Sequence, residues 1–148
     1  MESIDRLVHI IQSDSLLEKV AYKNIKPSDK RELNEIDSIV VFYKNAEIVK
    51  IKPYKSDLIQ KNDTIEFYLN NNKLIYIFET HFNNSRPGSC GMISIEDKLY
   101  YKKNKLIGSK SIEKPFLCYD EKINDAALFA FFEKIYGYIY KTTTANHH

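Results

Sequence analysis

The sequence predicts an α+β domain: one or two N-terminal helices, an antiparallel meander of about six strands, and a closing helix packed on the sheet. Three observations carry this expectation. The middle of the chain repeats one pattern three times: an aromatic pair, a short polar turn containing Asn, and an alternating apolar run. The first and last segments instead place apolar residues at helical spacing. The 148 residues, 43% hydrophobic and 28% charged, suit a single core and rule out two comparable domains. The expected division of this one domain is a helical part and connector (1–37), the sheet (38–119), the closing helix (120–141) and a tail (142–148).

Residues 3–12 read as an amphipathic helix, because Ile4, Leu7, Val8 and Ile11 share one helical face and Ser3 is a suitable N-cap. Ser13-Asp14-Ser15 breaks the pattern. Leu16, Leu17, Val20 and Ala21 then resume an apolar stripe, which predicts a second short helix or a kinked continuation. The highly charged stretch from Lys26 to Asp37 is a connector with room for one helical turn after Ser28.

The three repeats are Phe42-Tyr43-Lys44-Asn45-Ala46-Glu47-Ile48, Phe67-Tyr68-Leu69-Asn70-Asn71-Asn72-Lys73-Leu74 and Tyr100-Tyr101-Lys102-Lys103-Asn104-Lys105-Leu106. Asn tolerates the left-handed backbone of a tight hairpin turn, so each copy is expected to be a β-hairpin. Strict alternation puts Ile65, Phe67 and Leu69 on one side of the sheet and Glu66 and Tyr68 on the other. Across the turn it sets Leu74, Tyr76 and Phe78 against Ile75, Ile77 and Glu79.

The last helix is capped by Asn124 or Asp125 and runs from Ala126 to about Tyr140. Leu128, Phe131, Phe132 and Ile135 are expected to make its main contact with the sheet, so truncating Phe131 should come close to unfolding the domain. Phe129 and Tyr136 lie off that stripe and are candidates for a second contact. The helices are expected on one face of the sheet.

The hairpin run, Phe42 to Ile51, Phe67 to Ile77 and Tyr100 to Ile107 with a helix after it, resembles a group of bacterial exported or lipid-anchored proteins of unknown activity. Those proteins carry repeated tracts of the type Tyr-Tyr-x-x-Gly-Lys-Leu-Ile. Ala46, Asn72 and Asn104 stand where that group has Gly or another turn residue. The resemblance implies an envelope-associated domain and supplies no catalytic residue.

Charge excludes one class of partner. The 22 Lys+Arg against 20 Asp+Glu leave a net charge of +2, and only Arg6, Arg31 and Arg86 are Arg, so nucleic-acid binding is not expected. No apolar run reaches the roughly 20 residues of a transmembrane segment. The acidic start, Met1-Glu2-Ser3-Ile4-Asp5, is not a signal peptide. A location in the periplasm or envelope stays open if a signal was removed, and a cytoplasmic one otherwise. Cys90 and Cys118 can form at most one bridge.

Each sharper chemical reading has a plainer competitor. The glycine-bearing loop from Asn83 to Gly91, with Arg86, has the makings of an anion nest but reads better as a connection between hairpins. Cys90 near His81 lacks a third group, and Cys118 reads as a small buried hydrophobe. His9, His81, His147 and His148 have no metal-ligand spacing, with the terminal pair excluded from site reasoning. Lys102, Lys103 and Lys105 beside Tyr100 and Tyr101 read as protection of a sheet edge. No catalytic residue, metal or cofactor is expected.

The leading expectation is therefore a non-enzymatic binding domain that engages a protein partner or a second copy through exposed aromatics. Its candidate residues are Tyr43, Tyr68, Tyr101, Phe129 and Tyr136, with Arg86. An immunity or inhibitor protein that neutralises a toxin or enzyme is one alternative. A small-molecule pocket or enzyme between the sheet and the last helix is the other.

Overall fold

Each repeat turns through two consecutive residues at positive φ: Asn45 (52°) and Ala46 (66°), Asn71 (52°) and Asn72 (63°), Lys103 (51°) and Asn104 (63°). Two left-handed residues in succession make the hairpin turn whose twist matches that of the flanking strands. In the computed structural model, which describes residues 1–55, 64–83, 93–114 and 125–145, these turns join six strands. They are β2 (Ser38–Lys44) to β3 (Glu47–Tyr54), β4 (Thr64–Asn70) to β5 (Lys73–Asn83), and β6 (Ile93–Lys102) to β7 (Lys105–Lys114). Arg86, Cys90, Cys118, Asn124 and most of the glycine-bearing loop lie outside the described residues.

A bulge follows every turn. The register shifts between Phe42 and Tyr43, between Tyr68 and Leu69, and between Tyr100 and Tyr101. Val49, Ile75 and Ile107 are the extra residues on the return strands. The bulge corrects the expected faces. Leu74 does not share a side with Tyr76: it pairs with Leu69 and joins the core beneath the closing helix, while Tyr76 joins the opposite cluster. The structural repeat also aligns Phe42 with Tyr68 and Tyr100, not with Phe67.

The sheet has seven antiparallel strands in consecutive order, one more than expected. The added strand is β1 (Glu18–Tyr22), from the segment expected to be helical. It pairs along β2 from Glu18 opposite Tyr43 to Tyr22 opposite Ile39. Four apolar or aromatic residues in a row, Ile39 to Phe42, leave β2 with an edge to cover, and that pairing overrides the weak helical spacing of Leu16 to Ala21. The break before it is an Asx turn, with the Leu16 amide donating to Asp14 Oδ1 at 2.9 Å.

The helices sit on both faces, correcting the one-faced expectation. α1 (Glu2–Ser13) starts from Met1 with no side-chain cap, and it buries Ile4, Val8 and Ile11 against Tyr68, Tyr76 and Tyr100. The short α2 (Pro27–Glu32) begins with proline, whose fixed φ suits a first helical turn. On that opposite face, Ile25, Leu33 and Ile36 flank α2 and join the main core with Val41, Ile51, Phe67, Ile77 and Leu99. α3 (Asp125–Ala145) closes this core with Phe132, Ile135 and Ile139. Phe131 is only half-buried, so the seam of the helix lies one residue beyond the expected centre.

Candidate functional site

One register row crosses all seven strands on the α1 face: Lys19, Phe42, Lys50, Tyr68, Tyr76, Tyr100 and Gly108. It is wired side chain to side chain. The Lys50 ammonium lies 5.1 Å from the Phe42 ring centre and 5.3 Å from that of Tyr68. Tyr68 meets Tyr76 edge-on at 5.5 Å, and Tyr76 meets Tyr100 edge-on at 5.3 Å. The Tyr100 hydroxyl donates to Asp5 on α1 at 2.7 Å. The Tyr68 hydroxyl donates to Glu66 at 2.8 Å and accepts from Gln12 of α1 at 3.2 Å. Glu66 in turn pairs with Lys50 at 3.2 Å and Lys52 at 3.6 Å.

This arrangement holds α1 to the sheet. Burial, then the bond to Asp5, pushes the Tyr100 phenol up to about 12, and burial pushes those of Tyr68 and Tyr76 upward as well. All three stay protonated at physiological pH.

The expected binding aromatics fall elsewhere than on the surface. Tyr68 is fully buried beneath α1, and Tyr101 is 2% exposed beneath α3, so neither can touch a partner in this fold. Alternation sets Tyr68 on the side opposite Phe67, and α1 covers that side; Tyr101 lies in the core beneath α3. The Tyr101 ring lies 5.7 Å from Phe129, and its hydroxyl is buried with no hydrogen-bond partner among the described residues. Burial, then the nearby Asp125 carboxylate, pushes this phenol up to about 12. Tyr43 is half-buried near Tyr22 and α3, and burial with a hydrogen bond to Tyr22 pushes it up to about 12. Phe129 and Tyr136 are half-buried too, each within about 6 Å of Phe132. Arg86 lies outside the described residues.

Exposed apolar side chains occur singly at Ile10, Tyr54 and Tyr140, and in groups on the two outermost strands. On β7, Leu106, Ile107 and Ile112 are exposed apolar residues. On and before β1, Val20 and Leu16 are exposed. The sequence signal for β7 as an edge is its own repeat: where the two earlier return strands carry Lys50-Ile51 and Tyr76-Ile77, the third carries the bare pair Gly108-Ser109.

A cleft of about 300 Å³ opens between the first turns of α3 and the sheet, lined by Ile36, Pro53, Ile65, Glu79, Leu128 and Phe131, with Lys55 at its side. Its apolar walls and one carboxylate can take a small molecule with a polar end. A second cavity of about 290 Å³ lies under the end of α1, against Phe42, Lys19 and Lys50. Among the described residues no three His, Cys, Asp or Glu side chains come together as a metal-ligand group, and no helix is long and apolar enough to cross a membrane.

Comparison with protein-family models, curated proteins and solved structures finds no match to this chain.

Proposed function

We propose that this chain is a non-enzymatic protein-binding domain whose contact surface is the outer strand β7. The observation that carries the reading is the exposed apolar edge formed by Leu106, Ile107 and Ile112 on a ten-residue strand at the end of a regular sheet. The inward turn of the tyrosines supports it indirectly. The row from Tyr68 to Tyr100 is consumed in fixing α1, which leaves the last strand as one of the apolar features facing solvent.

The test is capture of proteins from the source cells on immobilised full chain, followed by cross-linking and mapping of the linked lysines. Links gathered on Lys102, Lys103, Lys105 and Lys110 support the reading. Links spread evenly over the molecule, or gathered on α3, defeat it. An immunity-type inhibitor is one form this binding takes; in that case the captured protein is an enzyme or toxin whose activity falls on addition of the chain.

A second reading, a small-molecule site, rests on the cleft beneath α3. Leu128→Trp fills that cleft and separates the two. It abolishes ligand binding under the second reading and leaves protein capture unchanged under the first.

A further inference from the structure

We infer that β7 is the docking edge for an acidic, extended segment of a partner protein, which adds to the sheet as an antiparallel eighth strand. The inference rests on the protein-binding reading and names the partner's chemistry. Its first support is the repeat itself. In the first hairpin the return strand β3 is covered by the next hairpin, with Lys50 opposite Tyr68 and Ile51 opposite Phe67. In the second, β5 is covered in the same register, with Tyr76 opposite Tyr100 and Ile77 opposite Leu99. β7 is the third return strand, with Gly108 and Ser109 in the equivalent places, and among the described residues it pairs with β6 alone. A strand edge of this kind supplies main-chain donors and acceptors for affinity, and alternate side chains for specificity.

The second support is charge. The exposed charged side chains described on the β6–β7 hairpin are Lys102, Lys103, Lys105 and Lys110, with no exposed acid among them. Of the two carboxylates of β6, Glu96 is half-buried, and Asp97 is buried and accepts from Ser111 at 2.5 Å. A second copy joined about a two-fold axis would set β7 against β7, and in the register that places Lys105 opposite Lys110 it brings like charges together. The lysines therefore oppose self-pairing while attracting an acidic strand. β1, at the other end of the sheet, offers five residues against ten and balances Glu18 with Lys19, whereas β7 carries Lys105, Lys110 and Lys114 against one acid, Glu113.

The experiment uses the full chain and labelled ten-residue peptides, the length of β7. One alternates Glu with Val, one alternates Lys with Val, and one is the acidic peptide with a central Pro that cannot continue a strand. Fluorescence anisotropy reads affinity and amide exchange reads the site. The acidic peptide should bind, slow exchange along β7, and weaken in about 1 M salt, where the screening length falls to about 3 Å. The Lys105→Glu/Lys110→Glu protein should bind it about tenfold more weakly, with only a small drop in melting temperature, since both positions are exposed and the Lys110 ammonium lies 5.7 Å from the Tyr100 ring centre. Lys105→Ser/Lys110→Ser serves if the charge reversal does not fold.

Equal binding of the acidic and proline peptides would overturn the inference, since charge alone would then explain it. So would protection falling on β1 or the α3 cleft, or dimerisation of the chain through β7. If proteins captured from cells are held equally by the wild type and the double variant, the edge inference falls while the protein-binding reading stands. If neither peptide nor cellular protein binds, both fall.

Discussion

The thioether of Met1 occupies the space in which a Cβ on Gly108 would stand, so the residue that caps α1 is seated on the outermost strand. Gly108 holds the place that Lys50 and Tyr76 hold in the earlier hairpins, and its missing side chain is what admits Met1. Gly108→Ala should change stability by less than about 1 kcal/mol: a flexible methionine end gives way, and alanine reduces the freedom of the unfolded chain. Gly108→Tyr should instead lift the start of α1. Amide exchange over α1 should then quicken while β4 and β5 stay protected. Unchanged exchange would mean that Met1 does not anchor the helix.

Ala46 sits at φ 66°, where the equivalent positions carry Asn72 and Asn104. Asn bonds locally and tolerates this conformation, whereas alanine meets the full clash of its Cβ, about 1–2 kcal/mol. Glycine removes the clash but gives back about 0.4–1 kcal/mol through the unfolded chain. Ala46→Gly should therefore gain up to about 1 kcal/mol and raise the melting temperature by about 2–4 °C. A lower melting temperature on calorimetry would show that the turn is not strained.

The hairpins were legible because their turn chemistry is local: Asn-Ala, Asn-Asn and Lys-Asn flanked by aromatic and β-branched residues leave few other structures. The bulges were not, because an inserted Ile75 looks like one more member of an apolar run, and only pairing reveals which residue has no partner. That single shift misassigned Leu74. β1 was missed because five residues of weak pattern become a strand only when β2 is present to pair with. The burial of Tyr68 and Tyr101 follows from two helical layers, and nothing in the spacing of α1 states which face of the sheet it will cover. The β7 edge is half legible: the spacing marks Lys105 as protection of a sheet edge, but only the pairing shows that β7 is the last strand of the sheet among the described residues.

Tyr68 and Tyr101 make a paired test of hydroxyl satisfaction. The Tyr101 hydroxyl is buried without a partner among the described residues, at a cost of about 1–3 kcal/mol, so Tyr101→Phe should stabilise the protein by about 1 kcal/mol. The Tyr68 hydroxyl serves both Glu66 and Gln12, so Tyr68→Phe should cost about 1.5–3 kcal/mol. Chemical denaturation reads both. If the two variants move in the same direction, the hydroxyl of Tyr101 has found a partner.

Alkaline pH should unfold this protein through its tyrosines. In the unfolded chain a phenol ionises near 10.0, whereas Tyr43, Tyr100 and Tyr101 hold their protons to about 12. Between these values the folded state binds more protons than the unfolded one, so stability falls as pH rises. Below about pH 10 these groups contribute no slope. Tyrosinate absorbance and circular dichroism should therefore change together between pH 10 and 12. Full ionisation with the fold retained would show that the phenols are not buried.

Phe131 and Phe132 both meet Phe67, at 5.9 and 5.4 Å between ring centres, yet they should differ sharply on truncation. Phe132 is 6% exposed, and it alone of the two also contacts Phe129 and Tyr136. Phe132→Ala leaves a cavity in the middle of the α3 seam and should cost about 3–5 kcal/mol, a large share of a domain stability of about 5–15 kcal/mol. Phe131 is half-buried and forms a wall of the cleft beneath α3, so its removal widens an opening that water already reaches. Its loss should cost less, about 1–2 kcal/mol for a side chain that leaves only part of its surface buried. Urea denaturation of the two alanine variants measures the difference. A larger loss at Phe131 would put the seam back on Leu128, Phe131 and Ile135 and displace α3 from the position described.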